Sequence, residues 1–214
     1  MNNTIKAIIF DYGNVIFSID FLRTQNAFKE LGIENVETFF SHKGHDSLFD
    51  EFEKGKISAE EWRNGIRVQA NKPDLTDQQI DDAWNSLLIG VADGNHDLLL
   101  KISKQYPTFL LSNTNEVHYK WIMEYLKRDF SLENNSSFFT KDYYSHLMGM
   151  RKPNKDIFQF VLDTHGLKAE ETLFIDDSPQ HLKTAKEIGL QTYLMTAPDN
   201  LQTYFKSNGL LKEE

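Results

Sequence analysis

Ile5-Lys6-Ala7-Ile8-Ile9-Phe10-Asp11-Tyr12-Gly13-Asn14 is a short apolar run that stops at a carboxylate and a turn. Runs of this kind, bounded by turn residues, read as buried strands of a parallel sheet. A second one, Thr172-Leu173-Phe174-Ile175, stops at Asp176-Asp177. Open α/β sheets hold their ligands just beyond the carboxyl ends of such strands. Three carboxylates gathered there repel one another without a cation, so the pattern points to a hard divalent metal.

Between these two runs the periodicity changes twice. From about 18 to 90 it is helical, with no convincing strand. Phe21, Leu22, Ala27, Phe28 and Leu31 recur at helical spacing before Gly32, while Ser58-Ala59-Glu60-Glu61 and Thr76-Asp77-Gln78-Gln79 open two further helices as capping boxes. Trp62 and Trp84 fall on the apolar faces of those helices and read as packing residues. After residue 90 helices and strands alternate. Helices are expected near 94–105 and 116–128, from Pro153 and from Pro179. Strands are expected at Thr108–Ser112, near Tyr143–Ser145, at Thr172–Asp176 and at Thr192–Met195. This implies a Rossmann-like, doubly wound parallel α/β sheet, residues 1–17 plus 91–214, with an inserted helical cap at 18–90.

Polar groups stand in order at four strand ends or adjoining loops: Asp11, then Ser112-Asn113, then Lys152, then Asp176-Asp177. Singly, each has an ordinary reading as a turn, a helix cap or a solvated lysine. Four such sites in order along one sheet are hard to obtain by chance.

Phe-Asp-Tyr-Gly-Asn-Val at 10–15, Leu-Leu-Ser-Asn-Thr-Asn at 110–115, Gly-Met-Arg-Lys-Pro at 149–153 and Phe-Ile-Asp-Asp-Ser at 174–178 resemble the four motifs of the haloacid dehalogenase superfamily. The likeness covers the whole chain, since the helical block stands where that family inserts a small helical cap. It is strongest to the branch of bacterial α-D-glucose-1-phosphate phosphatases and the phosphatase domain of soluble epoxide hydrolases. The resemblance implies a Mg²⁺-dependent phosphatase acting on a small phosphorylated metabolite such as a hexose 1-phosphate. It makes Asp11 the nucleophile that becomes an aspartyl-phosphate, and Lys152 a point charge between Asp11 and phosphate. Ser112 and the backbone N–H of Asn113 would bind phosphoryl oxygens. Asp11, the Gly13 carbonyl and Asp177 would hold the metal, with Asp176 steadying Lys152 or a metal-bound water. In the cap, His45 is the candidate for touching substrate, whereas His42 reads as a polar loop residue.

The chain departs from the motif at one place. The family's phosphatases usually carry an Asp two residues after the nucleophile, which protonates the leaving alkoxide; here Gly13 stands there. A positioned acid is worth about 10²–10⁴-fold in rate. Its loss favours good leaving groups, among them the hemiacetal oxygen of an anomeric phosphate.

Composition narrows the field further. A net charge of −9, with no basic stripe, argues against nucleic acid. The absence of cysteine excludes disulfides, thiolate catalysis and a thiolate-bound metal. No apolar stretch suits a membrane span or a secretory leader, which gives a cytoplasmic expectation. The same residues discriminate between this and other functions. A hydrolytic dehalogenase of this fold also lacks the second Asp, but typically replaces part of the acidic pair with neutral residues. A signalling receiver domain reverses the order of acidic pair and acceptor and has no helical insertion. A catalytically weak phospho-ligand binder is supported by Gly13 alone.

Overall fold

The structure, a computed structural model, describes residues 4–33, 36 and 47–211. Its elements in chain order are β1 (Ala7–Phe10), β2 (Phe17–Ile19), α1 (Phe21–Glu30), α2 (Ser47–Glu53), α3 (Ala59–Gln69), α4 (Asp77–Asn85), β3 (Leu88–Val91), α5 (Asn95–Ser103) and β4 (Thr108–Ser112). There follow α6 (Glu116–Phe130), β5 (Lys141–Tyr144), α7 (Ser145–Met148), α8 (Lys155–His165), β6 (Thr172–Asp176), α9 (Pro179–Glu187), β7 (Gln191–Leu194) and α10 (Leu201–Ser207).

Five strands form one parallel sheet in the order β5-β4-β1-β6-β7, with β1 at its centre. Every residue of β1, β4 and β6 is buried. This explains why those strands read as unbroken apolar runs: both faces are covered, so no alternation is selected. Ala7 and Ile9 pack into one cluster with Phe109, Phe158 and Phe174. Ile8 and Phe10 face the other side, in a cluster that runs without a break through Phe17 and Phe28 to Trp62, Ile66 and Trp84 of the helical block.

The two expected capping boxes form, with Ser58 capping α3 and Thr76 capping α4. Several expectations are corrected. Strands do occur at the ends of the helical block, where β2 and β3 pair antiparallel. They are three and four residues long, too short to establish a period, and Gly90 interrupts the apolar pattern. The helix expected from Pro153 begins at Lys155, because Arg151–Asn154 form a turn closed by the Asn154 amide on the Arg151 carbonyl at 3.1 Å. The fifth strand lies at Lys141–Tyr144, and Ser145 already opens α7. Helix α10, capped by Asn200 and burying Leu201 and Phe205, escaped the sequence reading. Among the described residues no helix is long and apolar enough to cross a membrane.

The seam between block and sheet contains a buried histidine. His118 stacks on Trp84 at 4.6 Å between ring centroids. Its Nε2–H donates to the Trp84 carbonyl at 3.2 Å, and its Nδ1 accepts from Asn115 Nδ2 at 3.1 Å. Burial pushes its pKa down to about 4, against the bond to the Trp84 carbonyl, which raises it. A histidine depressed in the fold is protonated first in the unfolded chain, so its contribution to stability falls as pH drops from 6.5 to about 4. The full effect is about 3 kcal/mol. Denaturant titrations at pH 7 and pH 4 should show the wild type losing that much more stability than His118→Gln. Equal losses in both would contradict it.

Candidate active site

Asp11 lies just past the end of β1, and its amide donates to the Ile175 carbonyl of β6 at 2.8 Å. The register of β1 against β4 and β6 brings the ends of the three strands together: Phe10 pairs with Leu110 on one side and Ile175 on the other. Asp11, Ser112 and Asp176 therefore share the carboxyl edge of the sheet, and all three are buried.

Lys152 arrives from the loop after α7 and is fully buried, at 0% exposure. Its Nζ donates to Asp11 Oδ1 and to Asp176 Oδ2, each at 2.7 Å, and sits 5.4 Å from the ring centroid of Phe174. The backbone of this lysine is held as firmly as its ammonium. Asn113 Nδ2 donates to the Lys152 carbonyl at 2.8 Å, while the Lys152 amide donates to Asn113 Oδ1 at 2.9 Å. Asp177 is partly buried and accepts from Asn14 Nδ2 at 3.0 Å. Asp176 also accepts from the Ser178 amide at 2.7 Å and faces His181 Nδ1 at 3.0 Å.

The electrostatics follow from this packing. Burial raises the Asp11 pKa; Lys152 pulls it down, while Asp176 and Asp177 push it up, and the net direction is upward. Asp177 is likewise raised, by burial first and despite the Asn14 bond. Asp176 moves the other way, because Lys152 and His181 outweigh the burial that opposes its charge. Burial also works against the Lys152 charge, yet its two carboxylate partners hold its pKa above the ordinary value. The edge thus carries two carboxylates that lack enough positive charge and one that is well neutralised. Asp11, Asp176 and Asp177 each offer an oxygen, and the three atoms lie within 4.8 Å of one another. This all-oxygen, acidic set is the donor chemistry of a hard divalent cation.

Gly13 occupies the turn that follows Asp11. A Cβ there would stand 3.0 Å from Ile19 Cδ1, so the β2 side chain covers the spot from which the family's usual acid would project. His45 and His42 lie outside the described residues. Three neighbours carry roles that sequence reading missed. Asn14 holds Asp177 from a left-handed backbone, φ 54°, the conformation that Asn adopts more readily than most residues. His181 sits one turn into α9 and reaches back to Asp176. The Asn113 side chain, expected only to present its amide, clamps the Lys152 loop. A cleft of about 470 Å³ lined by Arg63, Asp81, Glu116 and Lys120 contains none of these residues.

A parallel sheet whose carboxyl edge gathers three aspartates around a buried lysine is the arrangement that the sequence resemblance implies. The family model described as haloacid dehalogenase-like hydrolase matches residues 5–189, and the chain belongs to that family. It is 32% identical over 191 residues to D-ribitol-5-phosphate phosphatase of Bacteroides thetaiotaomicron, covering 88% of this chain and 91% of that one. A crystal structure of a family enzyme from Bacteroides thetaiotaomicron, in complex with magnesium and inorganic phosphate, superposes with a TM-score of 0.83 at 38% identity, over 94% of this chain and 99% of that one. A hydrolase of the same family from Porphyromonas gingivalis gives a TM-score of 0.86 at 34% identity, over 99% of this chain and 100% of that one.

Proposed function

We propose that this chain is a Mg²⁺-dependent phosphatase of a small sugar or polyol phosphate, working through an aspartyl-phosphate. The observation that carries the reading is Lys152, buried and 2.7 Å from both Asp11 and Asp176. A cation in that place keeps Asp11 ionised and presents positive charge where phosphoryl oxygens would gather.

Asp11 attacks phosphorus, the bond to the leaving oxygen breaks, and the departing alkoxide takes its proton from water, since Gly13 brings no acid. Water then hydrolyses the acyl phosphate, releasing inorganic phosphate and restoring Asp11. Ser112 and the Asn113 amide donate to the phosphoryl oxygens. Asp176 keeps the ammonium of Lys152 aimed at Asp11. Asp11, the Gly13 carbonyl and Asp177 would hold Mg²⁺; the raised pKa values of the two aspartates fit a site that calls for added positive charge. When bound, the ion neutralises the repulsion between these carboxylates and the phosphate. Residues 18–90 act as the cap that selects the leaving group, with His45 as the candidate contact.

Within this class, one observation favours a hexose 1-phosphate: Gly13 brings no acid, and Ile19 covers the place of one. The similarity to a ribitol-5-phosphate phosphatase favours a primary ester of an open-chain polyol instead. A panel of 1-, 5- and 6-phosphates separates the two. The dehalogenase alternative is opposed by the intact Asp176-Asp177 pair.

Phosphate release from p-nitrophenyl phosphate is expected to vanish in EDTA and return with Mg²⁺. Asn14→Ala should raise the Mg²⁺ concentration for half-maximal activity by about 10–100-fold, since Asp177 loses the donor that orients it. Activity indifferent to EDTA removes the metal from the reading, and halide release from a haloacid without phosphate release replaces it.

A further inference from the structure

Arg151 immediately precedes Lys152 and reaches into the helical block. Its Nη1 donates to Asp50 Oδ1 at 2.8 Å, and its Nη2 lies 2.9 Å from Glu53 Oε2, both carboxylates belonging to α2. Lys54 closes on the other oxygen of Asp50 at 2.7 Å. Burial would raise the Asp50 pKa, but the bonds from Lys54 and Arg151 hold it below the ordinary value. The backbones also meet at this seam. A Cβ at Gly55, where φ is +62°, would lie 2.1 Å from the His146 carbonyl oxygen of α7.

An isolated surface ion pair contributes little. This one has two features that set it apart. A single guanidinium serves two carboxylates on one helix through two separate nitrogens, a geometry suited to the planar fork of Arg. It also stands next in the chain to a residue pinned at both ends, its backbone by Asn113 and its ammonium by Asp11 and Asp176. One peptide bond therefore separates a link to the helical block from a link to Asp11.

We propose that Arg151 is a positioning residue whose ion pairs with Asp50 and Glu53 tie the seating of α2 to the placement of Lys152 against Asp11. The kinetic consequence rests on the phosphatase reading; the mechanical link does not. Seating α2 steadies the loop that delivers the ammonium, and unseating it loosens that loop. Small misplacements of a catalytic group cost rate far out of proportion to their size.

The test uses the full chain with Mg²⁺ and compares wild type, Arg151→Gln, the pair Asp50→Asn/Glu53→Gln, and all three changes together. Arg151→Gln and the carboxamide pair should each lower kcat by about tenfold or more, with a smaller change in KM. The triple variant should lose no more than the worse of the two, because both remove one interaction. Unchanged kcat in Arg151→Gln, whatever its melting temperature, overturns the proposal, as do losses that multiply independently in the triple variant. Should Arg151→Gln fold poorly, the carboxamide pair decides on the same criteria.

Hydrogen exchange separates this idea from the phosphatase reading. If the wild type hydrolyses no phosphate ester, that reading fails, and the link is judged by amide exchange in Arg151→Gln. Faster exchange in both 50–54 and 150–154 supports it, while faster exchange in 50–54 alone refutes it.

Discussion

Asp11→Asn is expected to abolish phosphate release while leaving the metal-free protein at least as stable as its parent. The amide cannot attack phosphorus, and loss of a nucleophile costs on the order of 10⁴-fold or more in kcat. The stability half of the expectation comes from the sign of the Asp11 shift. Burial and the neighbouring acids raise its pKa, so above that value the fold bears a cost for keeping the group charged. The cost is relieved as pH falls and the carboxyl takes up a proton. A neutral Asn removes it at every pH, and Lys152 keeps Asp176 as its partner. Phosphate-release assays and calorimetry on the metal-free variant check the two halves separately. Retention of more than about a tenth of the parent activity would unseat Asp11 as nucleophile. A large fall in melting temperature would mean that its attraction to Lys152 outweighs its burial.

Lys152→Met is expected to fail on both counts. Methionine matches the stem of lysine in shape but leaves Asp11 and Asp176 facing each other without their shared cation. Breaking a buried pair by removing one partner costs about 3–5 kcal/mol, which for a chain of this size is about 6–20 °C in melting temperature. Activity should fall below detection in the same variant, since the ammonium that faces Asp11 and would meet the phosphoryl oxygens is gone. In an Asp11→Asn background the same substitution strands one carboxylate fewer, so its stability cost should shrink. A cost unchanged by that background would show that Lys152 is held chiefly by Asp176 and that the pair with Asp11 adds nothing.

The elements that could be read from the chain are those in which a single contiguous run carries the whole signal. β4 and β6 declare themselves because Phe109–Leu111 and Leu173–Ile175 are buried on both faces. The capping boxes at Ser58 and Thr76 are local in the same way. Asp11, Ser112 and Asp176 could be nominated because each ends or follows such a run, and Lys152 because it stands in the motif Gly149–Pro153; the structure brings Lys152 against Asp11 and Asp176. What escaped depends on partners distant in sequence. Asn14 meets Asp177 across 163 residues, and Arg151 meets Asp50 across 101. No spacing rule spans such intervals. The ribbon of β2 and β3 was hidden for a further reason, since each half is too short to carry a period and the two pair across the whole intervening helical block.

The apolar cluster shared by sheet and helical block bears on how this chain could be cut or recombined. Phe28, Trp62, Ile66 and Trp84 share one buried cluster with Ile8, Phe10 and Phe17, so excising residues 18–90 would cut through a continuous core rather than remove a separate one. Grafting a foreign insertion onto the same stumps would have to reproduce the apolar underside formed by Phe28, Trp62 and Trp84. Change in this segment is therefore easiest at its solvent-exposed positions, where substitutions leave the shared interior as it is.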